Sequence, residues 1–334
     1  MEISDVLPSP LAKRRAATRT RGMTVGWSAL SVMILAGSTT SSFGKQLTGT
    51  FSPLSMLLVS ELLMLLFAVF SFGGIPLVHK LLKQKPHTLL ALLSIGVING
   101  GVAPYLWFSG LSRTSAINTQ LFGMTEMLFL MIFASFFARE KITRAHIGGG
   151  IVISLGLLIV TLKGFHESIA LNTGDIFIIL SCLSYSIGGT IIRKKLHRTA
   201  PELIIFARSA TAILLFFLIS PFISHPFISE VMAFPLALIP VLLAYGFISR
   251  FLLVFSFYES LKHLPVASVS LLSTVVVGTA LLFAHFYLGE PIHWYQAAGA
   301  ALIMAGAIIV QSSGLRKLEQ HLTHYWMSHH RQQF

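Results

Sequence analysis

The sequence predicts an all-α integral membrane protein of ten transmembrane helices, arranged as two inverted five-helix repeats. Three observations predict this fold class. Charged residues make up only 11% of the 334 residues. Ten apolar segments are long enough to cross a bilayer. A set of glycine, proline and charged positions recurs about half a chain length later.

The composition excludes an ordinary soluble domain. Hydrophobic residues are 54% of the chain and its mean hydropathy is +0.78, whereas soluble domains carry about 25% charged residues. The net charge of +12 does not indicate a nucleic-acid partner, because the basic residues form short clusters between apolar runs, as topology signals do. The expected surroundings are therefore the lipid bilayer.

Each predicted span contains the roughly 20 apolar residues that a helix needs to cross the hydrocarbon core. The ten spans are 24–44, 53–73, 88–110, 115–138, 145–163, 174–193, 202–223, 234–257, 265–288 and 292–312. The connections between them are short and carry the turn formers and the charges. No soluble domain is expected between the spans.

Basic residues alternate from one side of the predicted membrane to the other. The clusters that share one side lie within 13–21, 79–85, 139–144, 193–198, 262–263 and 316–317. Because connections rich in Lys and Arg stay in the cytoplasm, we expect both termini there. The sequence contains no Asn-x-Ser/Thr glycosylation site, which fits the inner membrane of a bacterium.

Matching positions are separated by 150 residues in the later helices and by 148 in the opening helices. They are Leu111 and Leu261, Glu140 and Glu290, Gly149 and Gly299, Gly156 and Gly306, Gly26 and Gly174, Lys45 and Arg193, and Pro53 and Pro201. They predict a basic N-terminal segment (1–23), two repeats (24–163 and 174–312) and a tail (313–334). Because five is odd, the second repeat is inverted, which places a binding site at the interface near the membrane midplane.

With this doubled unit, the chain resembles the drug/metabolite transporter superfamily, specifically its ten-helix EamA-type branch. The resemblance covers 24–312. It rests on the span count, on Glu140 and Glu290 at a helix end before a glycine-containing helix, and on the spacing of Pro201 and Arg208. It implies a secondary transporter of small metabolites, and many relatives in this branch export amino acids or other metabolites.

Four acidic or basic residues stand out because they lie well inside the predicted spans, away from the span ends: Glu61, Glu126, Arg208 and Arg250. A charge there costs about 2.5–3.5 kcal/mol and by default faces the bundle interior or a watery cavity. Arg250 suits a substrate carboxylate or phosphate. Glu126 is the candidate for both substrate binding and proton coupling. Mutual neutralisation is the alternative for all four, above all for Glu61 and Arg208.

Polar and aromatic residues complete the predicted substrate site. These candidates are Asn99, Tyr105, Trp107, Thr119, Tyr185 and Ser273. Thr119 shares a helical face with Glu126, seven residues away. In the third span, Pro104 removes a backbone donor and the preceding glycines permit a bend. The alternative is that Gly100 and Gly101 only allow close helix packing.

Helices five and ten carry small residues at regular spacing and are predicted to serve packing. These residues are Gly148, Gly149, Gly150 and Gly156 in helix five, and Ala297, Ala301 and Ala305 in helix ten. Such stripes let helices approach closely, within the chain or in a homodimer. The tail from Gly314 is predicted to be a short interfacial helix whose histidines are solvated and bind no metal.

These features favour a carrier over other classes of membrane protein. The spans contain no His-Glu-x-x-His pair, nucleophile elbow or phosphate-binding glycine loop, so we expect neither enzymatic activity nor a cofactor. We predict a secondary transporter of small polar metabolites that exports amino acids or related organic solutes by alternating access. The alternatives are a nucleotide-sugar or lipid-headgroup carrier of the same superfamily, and a membrane scaffold that does not transport.

Overall fold

The computed structural model describes residues 10–138, 143–163, 172–222, 226–264 and 266–311. Regular secondary structure within these ranges is helical throughout. The α-helices are α1 (Pro10–Leu47), α2 (Pro53–Phe72), α3 (Gly74–Leu82), α4 (Pro86–Ile95), α5 (Ala103–Leu111), α6 (Ala116–Gly123), α7 (Thr125–Ala138), α8 (Arg144–Thr161), α9 (Thr173–Lys195), α10 (Pro201–Ile219), α11 (Phe227–Met232), α12 (Ile239–Ala244), α13 (Leu253–His263), α14 (Val266–Ser273), α15 (Val275–Leu288) and α16 (Trp294–Gln311). Two π-helical segments, Gly96–Val102 and Tyr245–Leu252, join α4 to α5 and α12 to α13.

Nine helical segments in the described part of the chain are long and apolar enough to cross a membrane. They correspond to nine of the ten predicted spans. Over the predicted ninth span, 265–288, α14 and α15 meet at Thr274, and α15 is apolar but shorter than a full span. The all-helical membrane fold is confirmed, and the inverted relation of the two halves stays a prediction. The tail (313–334) and Glu140 lie outside the described residues.

The irregular stretches of the first half recur in the second. The two π-helical segments lie about half a chain apart, as do the breaks at Met124 and Thr274. Pro104 explains the first π-helical segment, because its ring provides no donor to the carbonyl of Gly100 and crowds it, which widens the preceding turn. The second segment has Val254 where the first half has Pro104, so the sequence did not predict it.

Residues 74–82, which the sequence assigns to a connection, form α3. Gly73 has φ +79°, a conformation that favours glycine, and it separates α3 from α2. Ile75 and Leu82 are exposed on α3, and Lys80 of the same helix forms an ion pair with Glu202. An apolar and basic short helix of this kind suits the membrane interface.

Polar contacts identify connections that lie together at each end of the bundle. Thr114, before α6, donates a hydrogen bond to Asp175 at the start of α9, with 2.6 Å between oxygens. Lys80, after α2, forms an ion pair of 3.1 Å with Glu202 at the start of α10. Both groupings agree with the sides assigned from the basic residues. Which end faces the cytoplasm stays a prediction.

Glu290, a marker of the sequence repeat, caps a helix in the other half of the chain. Its two carboxylate oxygens accept hydrogen bonds from the backbone N–H groups of Ala116 (2.8 Å) and Ile117 (3.0 Å). The first N–H groups of a helix have no partner inside the helix. A negative charge at this end also interacts favourably with the positive end of the helix dipole. Glu290 thus fixes the start of α6 to the connection before α16.

The largest apolar core joins helices from both halves. Its buried members include Ile117 of α6, Ile153 of α8, Cys182 of α9, Leu281 of α15 and Ile303 of α16. Because lipid chains are as apolar as these side chains, close van der Waals packing between the helices is what stabilises this core. This core holds one side of the bundle together.

The glycine stripe of α8 packs against α16 within the chain. A Cβ atom built on Gly149 would lie 2.5 Å from the carbonyl oxygen of Gly306, and one on Gly156 would lie 2.8 Å from that of Gly299. The two helices therefore touch backbone to backbone. The homodimer through these helices stays a prediction, and the alanines of α16 that remain exposed are Ala297, Ala301 and Ala305.

Candidate functional site

A buried cluster of charges lies near the middle of α2. Glu61 is 0% exposed. One of its carboxylate oxygens accepts hydrogen bonds from Nη2 of Arg208 (2.8 Å) and from Nη2 of Arg250, and the other accepts one from the hydroxyl of Ser209 (2.6 Å). The cluster therefore ties together α2, α10 and the second π-helical segment.

The cluster carries more positive than negative charge. One acid against two bases leaves a formal charge of +1, since Glu61 pairs with both arginines. The Nε–H groups of Arg208 and Arg250 are buried and have no hydrogen-bond acceptor among the described residues. A buried donor without an acceptor costs about 1–3 kcal/mol. An anionic group would supply both the missing charge and the missing acceptors.

The second π-helical segment sets the position of Arg250. Ser249, the preceding residue, shares a hydrogen bond of 2.7 Å with Thr39 of α1. The segment thereby contacts α1 through Ser249 and α2 through Arg250. Short π-helical insertions within α-helices are frequent at functional sites, because they redirect side chains.

Two tyrosines border the cluster. Tyr185 of α9 and Tyr245 lie within electrostatic range of both arginines and of Glu61. Tyr185 is among the site residues that the sequence predicts, and Tyr245 is not. In an α-helix, residues 245 and 250 would point in different directions, whereas π-helical pairing links residues five apart. Tyr245 could therefore be found only from the second π-helical segment, which the sequence does not predict.

Glu126 lies apart from the arginines, just after the break at Met124. No described side chain forms a hydrogen bond or an ion pair with its carboxylate. Its backbone carbonyl accepts a hydrogen bond of 3.0 Å from Ser186. Tyr185 lies within electrostatic range of Glu126 as well as of Arg250. Tyr185 thus stands between the charge cluster and the unpaired acid.

Asn99 and Trp107 pack at interfaces between helices. The Asn99 side chain fills the space beside Gly188, where a Cβ atom would lie 1.6 Å from its Oδ1 atom. This Oδ1 atom is buried and has no donor among the described residues. Trp107 packs against Gly123 of α6. Both predicted site residues therefore face the interior of the bundle.

Three other predicted residues lie away from the charge cluster or are already engaged. The Thr119 hydroxyl donates to the carbonyl of Ser115 in its own helix (2.9 Å). Ser273 is half-buried at the end of α14. Tyr105 is 44% exposed and lies on the outer surface of the bundle. None of these three contacts the arginines in the hydrogen bonds of the described residues.

Comparisons with known proteins indicate a membrane transporter, as the sequence predicts. Residues 24–162 and 172–312 both match the EamA-like transporter family. The chain is 23% identical over 304 residues to the uncharacterized transporter YyaM of Bacillus subtilis, covering 88% of this chain and 95% of YyaM. It is 24% identical over 238 residues to an uncharacterized transporter of Methanothermobacter thermautotrophicus, covering 70% and 67%. One crystal structure, 16% identical, superposes with a TM-score of 0.56 over 87% of this chain and 97% of its own.

Proposed function

The chain belongs to the EamA-like transporter family, and from that membership we propose that this multi-pass membrane transporter exports small carboxylate-bearing metabolites. Amino acids and related organic solutes are the proposed class. The observation that supports the proposal is the charge cluster, in which one buried acid, Glu61, faces two largely buried arginine side chains and leaves a surplus charge of +1. We place the protein in a bacterial inner membrane with both termini in the cytoplasm.

The proposed recognition follows from the chemistry of the guanidinium group. A guanidinium binds a carboxylate through two parallel N–H···O bonds, which are stronger than hydrogen bonds between neutral groups. In this proposal Arg250 is the main substrate ligand, and Arg208 supplies further charge. Glu61 holds the arginines in place until the substrate carboxylate arrives and takes over some of their hydrogen bonds.

The site also supports alternating access. The charge cluster joins α2 and α10 to the second π-helical segment, so a bound anion would change contacts between helices from both halves of the chain. Exchange of the conformations of two related halves around a midplane site is the usual way in which such carriers expose a substrate to each side. Membrane export by this route is our proposal for the whole protein.

Replacing Arg250 by lysine should leave the protein folded and weaken anion binding about tenfold to a hundredfold, because lysine keeps the charge but loses the paired hydrogen bonds. The measurement is ligand-induced thermal stabilisation of the purified protein. The probes are free amino acids and the carboxamides of the same amino acids. We expect stabilisation by acids and none by carboxamides.

Arg198→Lys, in an exposed turn after α9, is the matched control and should bind as the unaltered protein does. Equal stabilisation by acids and carboxamides would contradict a carboxylate site. Undiminished acid binding by Arg250→Lys would leave Arg250 with a structural role only.

Glu126 is the proposed proton carrier, because it is an acid inside a span with no partner among the described side chains. In proteoliposomes with a pH gradient, Glu126→Gln should abolish accumulation of the labelled amino acid that binds best. Exchange of preloaded amino acid should persist in part, since exchange needs no net proton movement.

Glu202→Gln provides the control for this experiment, since Glu202 forms a partly exposed ion pair with Lys80, away from the charge cluster. It should accumulate substrate normally. Uphill accumulation that is unchanged in Glu126→Gln would remove Glu126 from the coupling mechanism.

A further inference from the structure

A groove on the outer surface of the bundle runs from one end of α2 towards the charge cluster. It has a volume of about 500 Å³ and lies between α2, the first π-helical segment with α5, and α10. This volume falls within the range of about 300–1,000 Å³ typical of small-molecule sites. We call it the lateral groove.

The floor of the lateral groove is buried and apolar, whereas its rim is exposed. Leu57, Ala212 and Phe216 form the floor. Val102 and Tyr105 belong to the rim. Exposed surface on a membrane-spanning bundle faces the lipid chains. The lateral groove is therefore open to the bilayer.

The inner end of the lateral groove lies one helical turn from the charge cluster. Leu57 precedes Glu61 by four residues, and Ala212 follows Arg208 by four, so each pair shares a helix face about 6 Å apart. Gly101 lines the groove. A Cβ atom on its neighbour Gly100 would lie 2.8 Å from the Arg208 carbonyl oxygen. An apolar space and a positively charged site are thus adjacent.

The outer end of the groove carries negative charge. Ser52, which lines it, donates hydrogen bonds of 3.2 Å to the Glu230 carboxylate from both its backbone N–H and its hydroxyl. That charge repels an anion that approaches along the groove from the water at this end. The open side towards the bilayer carries no such charge among the lining residues.

We propose that the transported anion is amphiphilic, with its carboxylate at Arg208 and Arg250 and its apolar chain in the lateral groove on the side of the bilayer. This inference rests on the proposed carboxylate site. It narrows the substrate class to monocarboxylates with an extended apolar group, such as medium-chain acids and amino acids with large apolar side chains. A chain of this kind covers the apolar floor while the arginines gain the acceptors that they lack.

The test measures binding of straight-chain monocarboxylates, from acetate to octanoate, to the full chain in phosphatidylcholine nanodiscs. Isothermal titration calorimetry gives the dissociation constant after subtraction of the signal from protein-free nanodiscs. Each methylene that enters the groove should tighten binding about fourfold, the equivalent of about 0.8 kcal/mol per buried CH₂. The matching carboxamides should bind much more weakly at every length.

Leu215→Trp fills the lateral groove and should remove the dependence on chain length while acetate binds as before. Leu214→Trp is the matched control, at a position that is 67% exposed and outside the groove. Its binding should still depend on chain length. If Leu215→Trp folds poorly, Val102→Trp at the exposed rim provides a second variant for the same test.

Two outcomes would overturn different parts of the proposal. Carboxylates that bind better than carboxamides, but equally well at every chain length, would show that the apolar chain of the substrate does not enter the groove. Acids and carboxamides that bind equally would overturn the carboxylate site and with it the proposed function.

Discussion

Glu61→Gln should destabilise the protein by about 3–5 kcal/mol and abolish transport, because it leaves two largely buried guanidinium groups without a counter-ion. Glutamine has nearly the same shape as glutamate and can still accept the hydrogen bond from Ser209. The loss of stability therefore reports the effect of removing the negative charge. The measurement is the temperature at which the purified protein loses its monodisperse elution peak, together with solute flux into proteoliposomes. We expect the largest effect on stability of any single charge removal in the chain.

Glu202→Gln is the matched control for stability, because the pair between Glu202 and Lys80 is partly exposed. Pairs of that kind contribute about 0–1 kcal/mol. The double variant Glu61→Gln/Arg250→Gln should recover part of the lost stability, since one unpaired guanidinium remains instead of two, without recovering transport. Equal stability of Glu61→Gln and Glu202→Gln would contradict the buried cluster, and recovery of transport in the double variant would contradict substrate binding by Arg250.

Gly149→Ala should destabilise the protein by about 3 kcal/mol, at the upper end of typical overpacking effects. The new Cβ atom would lie 2.5 Å from the Gly306 carbonyl oxygen, a backbone atom that cannot rotate away. Helices α8 and α16 would have to separate along their crossing. The same thermal measurement, made on protein in detergent, gives the loss of stability.

Gly148→Ala is the matched control in the neighbouring position, where a Cβ atom meets nothing within 4 Å. It should be neutral or slightly stabilising, because alanine favours helix over glycine by about 1 kcal/mol. If the two variants have the same stability, α8 and α16 do not cross at Gly149. The result would then favour the alternative that these glycines serve contacts between two copies of the chain.

The sequence alone determined the class of protein and most helix limits. A span is recognised from the length of a local apolar run, which does not depend on its neighbours. The predicted fourth span, 115–138, is observed as Ala116–Phe137, and the predicted sixth, 174–193, as Thr173–Lys195. The sequence also identified the four charged residues that lie well inside the spans, because a charge stands out in an apolar run.

The partners of those charges were decided by the tertiary structure. Arg250 pairs with Glu61, 189 residues away in the chain, and Arg208 pairs with the same acid from 147 residues away. The sequence left open whether Arg250 neutralises Glu61 or Glu126. Which acid it meets depends on the rotation of each helix about its axis and on which helices are neighbours, and both are set by packing along the whole bundle.

The fine shape of the site was likewise a property of the packed molecule. The second π-helical segment turns Tyr245 and Arg250 towards one region, yet no proline stands where Pro104 marks the first. The lateral groove is formed by three helices that are distant in the chain, and Tyr105 faces it instead of the charges. A sequence records which side chains are present, but the spaces between helices exist only once the helices pack.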